Sequence, residues 1–345
     1  MECGLCSQDC SFLQHYGSPK ALAAAWPPDK LSGWELPFQC SLCTLCTAVC
    51  PPRRGLDPAA MFREMRQQAV TAGRAPLPAH RRLLAYERWG CSPLSTGFYL
   101  PLGCETVLFP GCAVAGSRPA HVLELLRLLQ HSIPSLGVVL GCCAKPSQDL
   151  GCTEQAAARC GMLIKELTRR GLRQVLTVCP SCYAMFRQQN GPFEVRFIAE
   201  ALIGLPLPAV ARRRTVTVHD PCVLRNEEHI HEAVRTVLRQ IGLTVLEMPH
   251  HGPRTFCCGE GGAVAAVCTA FAESWSERRS QEAGGLPVVT YCAGCATVLA
   301  RHMQSVHLLD LLLTPAGKPL RVSRAPCTYL HRILLKQRLR SILKL

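Results

Sequence analysis

The sequence has few of the features that mark secreted, membrane-spanning or nucleotide-binding proteins. It contains no stretch of about 18 apolar residues, so no transmembrane helix is predicted. The longest apolar run near its end, Leu308 to Leu313, is short and contains Asp310. The first residues lack the basic region and apolar run of a secretory signal, and no GxGxxG fingerprint is present. We therefore expect a cytoplasmic protein with no flavin or nicotinamide site of its own.

Aromatic residues are scarce, at 6% of the chain, although the formal net charge is +14. The Lys and Arg residues are scattered and lack the aromatic interleaving of a nucleic-acid surface. The formal charge also counts every cysteine as neutral. Any cysteine that ionises to bind a metal would contribute a negative charge and lower this total. No nucleic-acid partner is expected.

Cysteine is the residue in excess, with 23 copies among 345 residues. Disulfide frameworks are typical of short secreted domains with small cores. This chain is long and 48% hydrophobic, so it can build ordinary cores. Metal ligation by thiolates in a reducing compartment is therefore favoured.

Residues 40–51 match the bacterial ferredoxin motif C-x2-C-x2-C-x3-C-P. In this motif three thiolates bind one cubane cluster and the fourth reaches a neighbouring cluster. Zinc sites instead use pairs of CxxC. An earlier group, Cys3, Cys6 and Cys10, matches the last three positions of the same motif. The usual pairing assigns one cubane to Cys10, Cys40, Cys43 and Cys46, and the other to Cys3, Cys6 and Cys50.

The second of these cubanes lacks a fourth ligand within the motif. Cys91 and Cys104 are candidates for it, and a cysteine upstream of Met1 is the alternative. Helices predicted over 19–25 and 58–72 make residues 1–72 a helical ferredoxin-like domain. Residues 73–103 are rich in Pro and Gly and are predicted to be a linker.

From residue 104 onward the sequence repeats itself. The first copy has a single cysteine, then a vicinal pair, then a CxxC motif, and the second copy repeats this order 110 to 115 positions later. The first set is Cys112, Cys142, Cys143, Cys179 and Cys182; the second is Cys222, Cys257, Cys258, Cys292 and Cys295. Internal repetition predicts two domains of one fold, over residues 104–210 and 211–345.

Strand-like runs precede these cysteines and helix-like runs follow them. The strands are predicted at 106–109, 174–178, 215–218 and 288–291, and the helices at 120–129, 154–169 and 227–240. This alternation predicts an α/β fold with parallel sheets. The cysteines should then gather at the carboxyl ends of the strands, where such sheets place their sites.

With these motifs in hand, the chain resembles the heterodisulfide reductases, in a form that fuses the ferredoxin-like subunit to the catalytic cysteine-rich subunit. The features that carry this resemblance are the two repeats, the N-terminal motifs, and the runs 219–222 and 256–262. One departure is Ala144, where the family usually has Gly after the vicinal pair.

The resemblance implies that each five-cysteine set holds a noncubane [4Fe–4S] cluster. It further implies catalysis, in which a thiol disulfide is cleaved or formed between the two clusters and electrons arrive through the cubanes. A flavoprotein or a cytochrome b subunit would be the electron-donor partner, and a small thiol disulfide the substrate.

Two other functions stay open. The chain would otherwise be an electron-transfer subunit between a dehydrogenase or flavoprotein and quinone, or a zinc-stabilised scaffold. The segment 330–345 reads as a basic amphipathic helix. It would pack on its own domain, or dock to a partner or to an anionic membrane surface.

Overall fold

A computed structural model describes residues 3–51, 55–209, 214–314 and 322–343. Its N-terminal region is helical, as predicted. The helices there are α1 (Leu5–Gln8), α2 (Ser11–Tyr16), α3 (Pro19–Ala24), α4 (Leu45–Ala48) and α5 (Pro58–Thr71), with a 3-10 helix at Leu31–Gln39.

Helix α5 shows why the chain becomes helical here. Pro58 occupies its first turn, and the carboxylate of Asp57 accepts a hydrogen bond from the Ala60 N–H at 3.0 Å. Both are strong helix-start signals, because they satisfy or remove N–H groups that have no partner within the helix. Phe62 and Met65 then point into the hydrophobic cluster of the domain.

Residues 73–103, predicted as a linker, contain regular structure. They form a short 3-10 turn, helix α6 (Arg81–Gly90) and strand β1 (Gly97–Tyr99). Strand β1 pairs antiparallel with a strand of the first repeat. This segment is therefore part of the first cysteine-rich domain's sheet, which the frequent Pro and Gly residues did not suggest.

The first cysteine-rich domain is built on a five-stranded sheet. Its strands are β1, β2 (Thr106–Phe109), β3 (Gly137–Leu140), β4 (Gln174–Thr177) and β5 (Glu194–Phe197), in the order β1-β3-β2-β4-β5. All pairs except β1–β3 are parallel. The helices are α7 (Gly111–Ser117), α8 (Pro119–Gln130), α9 (Lys145–Asp149), α10 (Thr153–Arg169), α11 (Pro180–Gln188) and α12 (Ile198–Leu202).

The second domain repeats this arrangement on a four-stranded parallel sheet. Its strands are β6 (Thr215–His219), β7 (Thr244–Val245), β8 (Val288–Thr290) and β9 (Ser305–His307), in the order β7-β6-β8-β9. The helices are α13 (Glu228–Gln240), α14 (Thr269–Ala283), α15 (Ala293–Leu299) and α16 (Leu308–Leu313). The prediction of two repeated α/β domains with parallel sheets is confirmed.

One hydrophobic core joins the two domains. Leu108 and Leu176 from the first sheet and Val218 and Val289 from the second belong to a single buried cluster. Continuous apolar strands such as 106–109 are typical of parallel sheets covered on both faces. The two domains therefore pack into one body.

The C-terminal helix α17 (Cys327–Ile342) packs on its own chain. Leu335 and Leu339 are buried in the shared core, and α17 lies along α7 and α8. Within the described residues, no helix is both long and apolar enough to cross a membrane.

Candidate metal centres

The first set of five cysteines converges at one end of the first sheet. Strands β3, β2 and β4 are neighbours, and each is followed within a few residues by one of its cysteine groups. The Sγ atoms of Cys112 and Cys142 lie 3.9 Å apart, and those of Cys143 and Cys182 lie 3.3 Å apart. Cys179 packs against the hydrophobic cluster that contains Cys143 and Cys182. This is the gathering at carboxyl ends that the strand order predicts.

Gly111 permits this close approach. Its φ of +71° lies in the left-handed region, and a Cβ at this position would meet the Cys182 Sγ at 2.9 Å. Only glycine occupies such a conformation without steric cost. The backbone before Cys112 can therefore lie directly against the CxxC turn of residues 179–182.

The second set converges in the same way in the second domain. Cys222 packs with Cys257 in one hydrophobic cluster, and Cys292 packs with Cys258 and Cys295 in another. The vicinal pair Cys257–Cys258 joins the two clusters. All five cysteines of this repeat therefore belong to one connected group of thiols.

His219 also lies at the second site. Sequence reasoning included it only as the first residue of the run 219–222. Its ring, the Cys258 Sγ and the Cys295 Sγ offer ligand atoms that lie within 4.8 Å of one another. His219 is fully buried, and among the described residues neither ring nitrogen has a nitrogen or oxygen partner. The equivalent position at the end of β2 is Phe109, so the two sites differ here.

The two sites adjoin across the domain interface. Helix α7, which carries Cys112, packs against α15, which carries Cys295. Helix α11, which carries Cys182, packs against the 3-10 turn that begins at Cys222. Glu260 lies within electrostatic range of both Cys179 and Cys258. A small molecule between the sites would therefore be close to both groups of thiols.

Four N-terminal cysteines line a separate cavity. Cys10, Cys40, Cys43 and Cys46 surround it together with Phe12, Leu13, Phe62, Phe271 and Trp275. Burial raises the pKa of Cys10 and of Cys40 to about 12. The motif had grouped the same four residues, and the structure brings them together.

This cavity touches the second five-cysteine site. Cys43 and Cys257 are buried in the same hydrophobic cluster, and their thiols interact. Arg225 fixes the contact, because its buried guanidinium donates to the Cys43 carbonyl at 2.9 Å and to the Thr255 carbonyl at 2.8 Å. The first site has no such neighbour in the N-terminal domain among the described contacts.

The remaining N-terminal cysteines lie further out. Helix α1, which contains Cys6, packs against α4, which ends two residues before Cys50. Cys3 is exposed. Neither candidate for a fourth ligand is placed with them, because Cys91 contacts Cys142 of the first site and the Cys104 thiol donates to the Thr106 carbonyl at 3.3 Å. A cluster on Cys3, Cys6 and Cys50 stays a prediction.

Ala144 adopts the backbone conformation that glycine has in the second domain. Its φ is +61°, and the φ of Gly259 is +95°. The left-handed conformation costs a residue with a Cβ about 1–2 kcal/mol. The first site therefore accommodates alanine at a backbone cost.

The donor sets fit iron–sulfur clusters. Neighbouring thiols and, after them, burial raise the pKa of Cys112, Cys182, Cys257 and Cys295 well above the ordinary value of a thiol. Thiolates packed this closely would repel one another unless a cationic iron–sulfide core lay among them. Five thiols in each group exceed the four ligands of a structural zinc site.

Comparison with known proteins agrees with this chemistry. The family model described as a cysteine-rich domain (CCG) matches residues 106–187 and 216–300, and that of a 4Fe-4S dicluster domain matches residues 1–53. One subunit of the dihydromethanophenazine:CoB–CoM heterodisulfide reductase of Methanosarcina mazei is 24% identical over 281 residues, 71% of this chain and 66% of that protein. The chain is homologous to this heterodisulfide reductase subunit and to related iron–sulfur proteins.

Other relatives of this group have different names. The EtfAB:quinone oxidoreductase of Syntrophomonas wolfei is 29% identical over 172 residues, 46% of this chain and 24% of that protein. A probable membrane-anchored ferredoxin of Chromohalobacter salexigens is 24% identical over 324 residues, 83% of this chain and 48% of that protein. The chain spans about a quarter to two-thirds of the length of these curated relatives. It is related to iron–sulfur subunits of oxidoreductases in this group.

Sequence reasoning missed three arginines around these centres and considered Cys91 only as a ligand of the N-terminal cluster. Arg66 and Arg225 bind backbone carbonyls of the 40–43 loop, while Arg332 and Cys91 approach the first site. No motif contains them. A buried arginine leaves no periodic signal in the sequence, and Cys91 stood apart from every cysteine pattern.

Proposed function

We propose that the chain cleaves or forms a small thiol disulfide between its two five-cysteine sites, as the catalytic subunit of a larger redox complex. Cleavage of the S–S bond consumes two electrons and two protons and yields two thiols. The electrons come from a separate flavoprotein or cytochrome b subunit. The observation that carries the proposal is that two complete five-thiol sites adjoin across one interface.

The paired sites suit a two-electron reaction. Each set, Cys112, Cys142, Cys143, Cys179 and Cys182, and Cys222, Cys257, Cys258, Cys292 and Cys295, would hold a noncubane [4Fe–4S] cluster. The clusters would supply one-electron steps and an iron for each sulfur of the substrate. The protein holds the two thiol groups at a fixed distance, through α7 against α15 and α11 against the Cys222 turn.

Electrons would reach the second site first. A cubane on Cys10, Cys40, Cys43 and Cys46 would lie directly beside it, because the Cys43 and Cys257 thiols are in contact. Arg225 keeps this contact rigid from the side of the second domain. The cluster on Cys3, Cys6 and Cys50 would then be the outer one, nearer to the partner subunit.

A second function is favoured by one observation, the relationship to the EtfAB:quinone oxidoreductase. The chain would then relay electrons between a dehydrogenase or flavoprotein and quinone. In that case the five-thiol sites would carry electrons and would bind no disulfide.

The two functions can be separated with the anaerobically purified full chain. Iron and acid-labile sulfide should indicate four clusters, and a reduced viologen should drive thiol release from some member of a panel of small disulfides. Replacing Cys182 or Cys295 by Ser should abolish that turnover and leave the cubane signals unchanged in electron paramagnetic resonance. Cys295 is preferable to Cys257, whose thiol touches Cys43.

Cys104→Ser is the matched control, since Cys104 lies outside every site. It should keep full turnover. Disulfide turnover that survives in both the Cys182 and Cys295 variants would exclude catalysis at the paired sites. Reduction of a quinone analogue without any disulfide turnover would support the relay. Zinc as the main metal, with little sulfide, would overturn both functions.

A further inference from the structure

The first five-cysteine site has a sixth thiol beside it. Cys91 follows Gly90 at the end of helix α6, where the chain lies directly against Cys142, and its thiol interacts with that of Cys142. It belongs to none of the ferredoxin or repeat motifs, and the second site has no matching cysteine among the described contacts. The neighbours of the second site are His219 and Cys43, and Cys43 belongs to the ferredoxin motif. The two sites are therefore chemically different.

Helix α6 is anchored so that Cys91 stays in this place. Glu87, one turn before Cys91, is fully buried and accepts a hydrogen bond from the Ser147 N–H at 2.7 Å. The Ser147 hydroxyl also donates a hydrogen bond to Glu87, and Arg159 forms an ion pair with Glu87. Because Ser147 lies on α9, directly after the vicinal pair, this network ties Cys91 to the Cys142–Cys143 loop.

A buried guanidinium points to the same place from the C-terminal helix. Arg332 on α17 is fully buried, and its only hydrogen bond among the described residues is from Nη2 to the Gly90 carbonyl at 3.2 Å. Its Nε and Nη1 have no partner there. A Cβ on Gly90 would lie 3.1 Å from Nη1 and 3.2 Å from the Cys142 Cβ, so the guanidinium and the first site meet across Gly90.

Aromatic packing holds Arg332 in this position. The Arg332 Cζ stands over the Trp89 ring, at 5.1 Å from its centroid. Tyr329 contacts Trp89 and Tyr86 edge-on at 4.9 and 5.3 Å. A buried cation with free N–H groups is costly unless an anion is near. Thiolates that bind a cluster at Cys112 and Cys142 would be that anion.

We propose that Cys91 is a sixth ligand of the iron–sulfur cluster at the first site, and that Arg332 is a positioning residue that hydrogen-bonds the same cluster. The proposal rests on the proposed cluster on Cys112, Cys142, Cys143, Cys179 and Cys182. It makes α6 and the C-terminal helix α17 parts of the first metal centre. Hydrogen bonds and charge next to the sulfurs set the reduction potential of a cluster.

The test follows the first cluster itself and does not depend on turnover. In the anaerobic full chain, Cys91→Ser should release the iron of the first site to a chelator at least about tenfold faster, since loss of supporting groups typically costs 10–100-fold in metal affinity. Cys104→Ser is the matched control from the same domain. Equal release rates in Cys91→Ser and Cys104→Ser would overturn the role of Cys91.

The arginine is tested by the reduction potential of the first cluster. Arg332→Met should lower it, because the reduced cluster is more negative and loses a neighbouring cation. Arg332→Lys should restore part of the shift, since Lys keeps the charge but not the planar donor geometry. Arg338→Met is the control, because Arg338 is exposed on the same helix. Unchanged potentials in both Arg332 variants would overturn the role of Arg332.

Two further measurements keep the outcomes distinct. The second-site signal in each variant reports whether the chain has folded. If Cys182→Ser removes none of the clusters that the wild-type chain holds, the proposed function is contradicted. If the wild type holds a cluster at the first site, but its iron-release rate and reduction potential do not change in the Cys91 and Arg332 variants, only this inference is contradicted.

Discussion

At the scale of single residues, buried arginines connect the three parts of the chain. Arg66 on α5 is fully buried, and its guanidinium donates hydrogen bonds to four backbone carbonyl groups. They belong to Pro37 (3.0 Å), Cys40 (2.6 Å), Asp149 (2.6 Å) and Gly262 (2.9 Å). One side chain from the N-terminal domain therefore contacts both cysteine-rich domains.

We expect Arg66→Met to destabilise the protein strongly. Methionine fills similar space but leaves buried carbonyls without donors, and each such group costs about 1–3 kcal/mol. The free energy of unfolding should fall by roughly 3 kcal/mol or more, as measured by anaerobic chemical denaturation. Arg63→Met on the same helix is the control. Arg63 has a half-exposed ion pair with Asp57 at 3.2 Å, so a loss of more than about 1 kcal/mol there would contradict the comparison.

At the scale of elements, short helices begin directly at strand ends, and one of them depends on a neutral histidine. His307 ends β9 and caps α16, and its Nδ1 accepts a hydrogen bond from the Leu309 N–H at 3.1 Å. Burial and, to a smaller extent, the charge of Arg118 lower the pKa of His307 to about 3, while Asp310 opposes the shift. Protonation would remove the acceptor on which the cap depends.

His307 should make the protein less stable as the pH falls below neutrality. The unfolded chain takes up a proton near pH 6.5, whereas the folded chain does so only near pH 3. The stabilisation is therefore complete above pH 6.5 and is lost as the pH falls toward 3. Between pH 7.5 and 5.5 this residue should lower the free energy of unfolding by about 1.4 kcal/mol.

His307→Asn tests this prediction, because Asn can cap the helix but does not titrate. Its loss of stability between pH 7.5 and 5.5 should be smaller than that of the wild type by about the same amount. Equal losses in the two proteins would show that His307 titrates normally.

At the scale of the whole molecule, a buried ion pair joins the two cysteine-rich domains. Arg118, at the start of α8, donates from Nε and Nη2 to the two carboxylate oxygens of Asp310 on α16, at 2.7 and 2.8 Å. The two side chains are 3% and 1% exposed. Burial opposes ionisation of Asp310, but the nearby His121 ring and the hydrogen bonds from Arg118 outweigh it and lower its pKa to about 2.

Asp310→Asn should weaken the domain interface on which the paired sites depend. It leaves the Arg118 charge buried without its partner, which typically costs 3–5 kcal/mol. The free energy of unfolding should fall by about that amount, and disulfide turnover should fall while the cubane signals stay. Glu124→Gln is the control, since Glu124 pairs with Arg127 on the exposed face of α8. A similar loss in the control would assign the effect to α8 and not to the interface.

The sequence by itself determined the local units of this protein. The strand at 106–109 and the helices at 19–25 and 58–72 were predicted because apolar runs, periodicity and caps act over a few residues. The grouping of Cys10 with Cys40, Cys43 and Cys46 also followed from the two motifs, because three nearby thiolates bind one cluster and the last cysteine of the other motif completes it. The internal repeat likewise predicted two domains of one fold.

Only the tertiary structure decided how these units meet. The contact between Cys43 and Cys257, and the approach of Cys91 and Arg332 to Cys142, join residues far apart in sequence. The same holds for β1, which enters the first sheet from a segment predicted as a linker. Such contacts depend on how finished domains pack, and packing between distant segments has no period or spacing that a sequence displays.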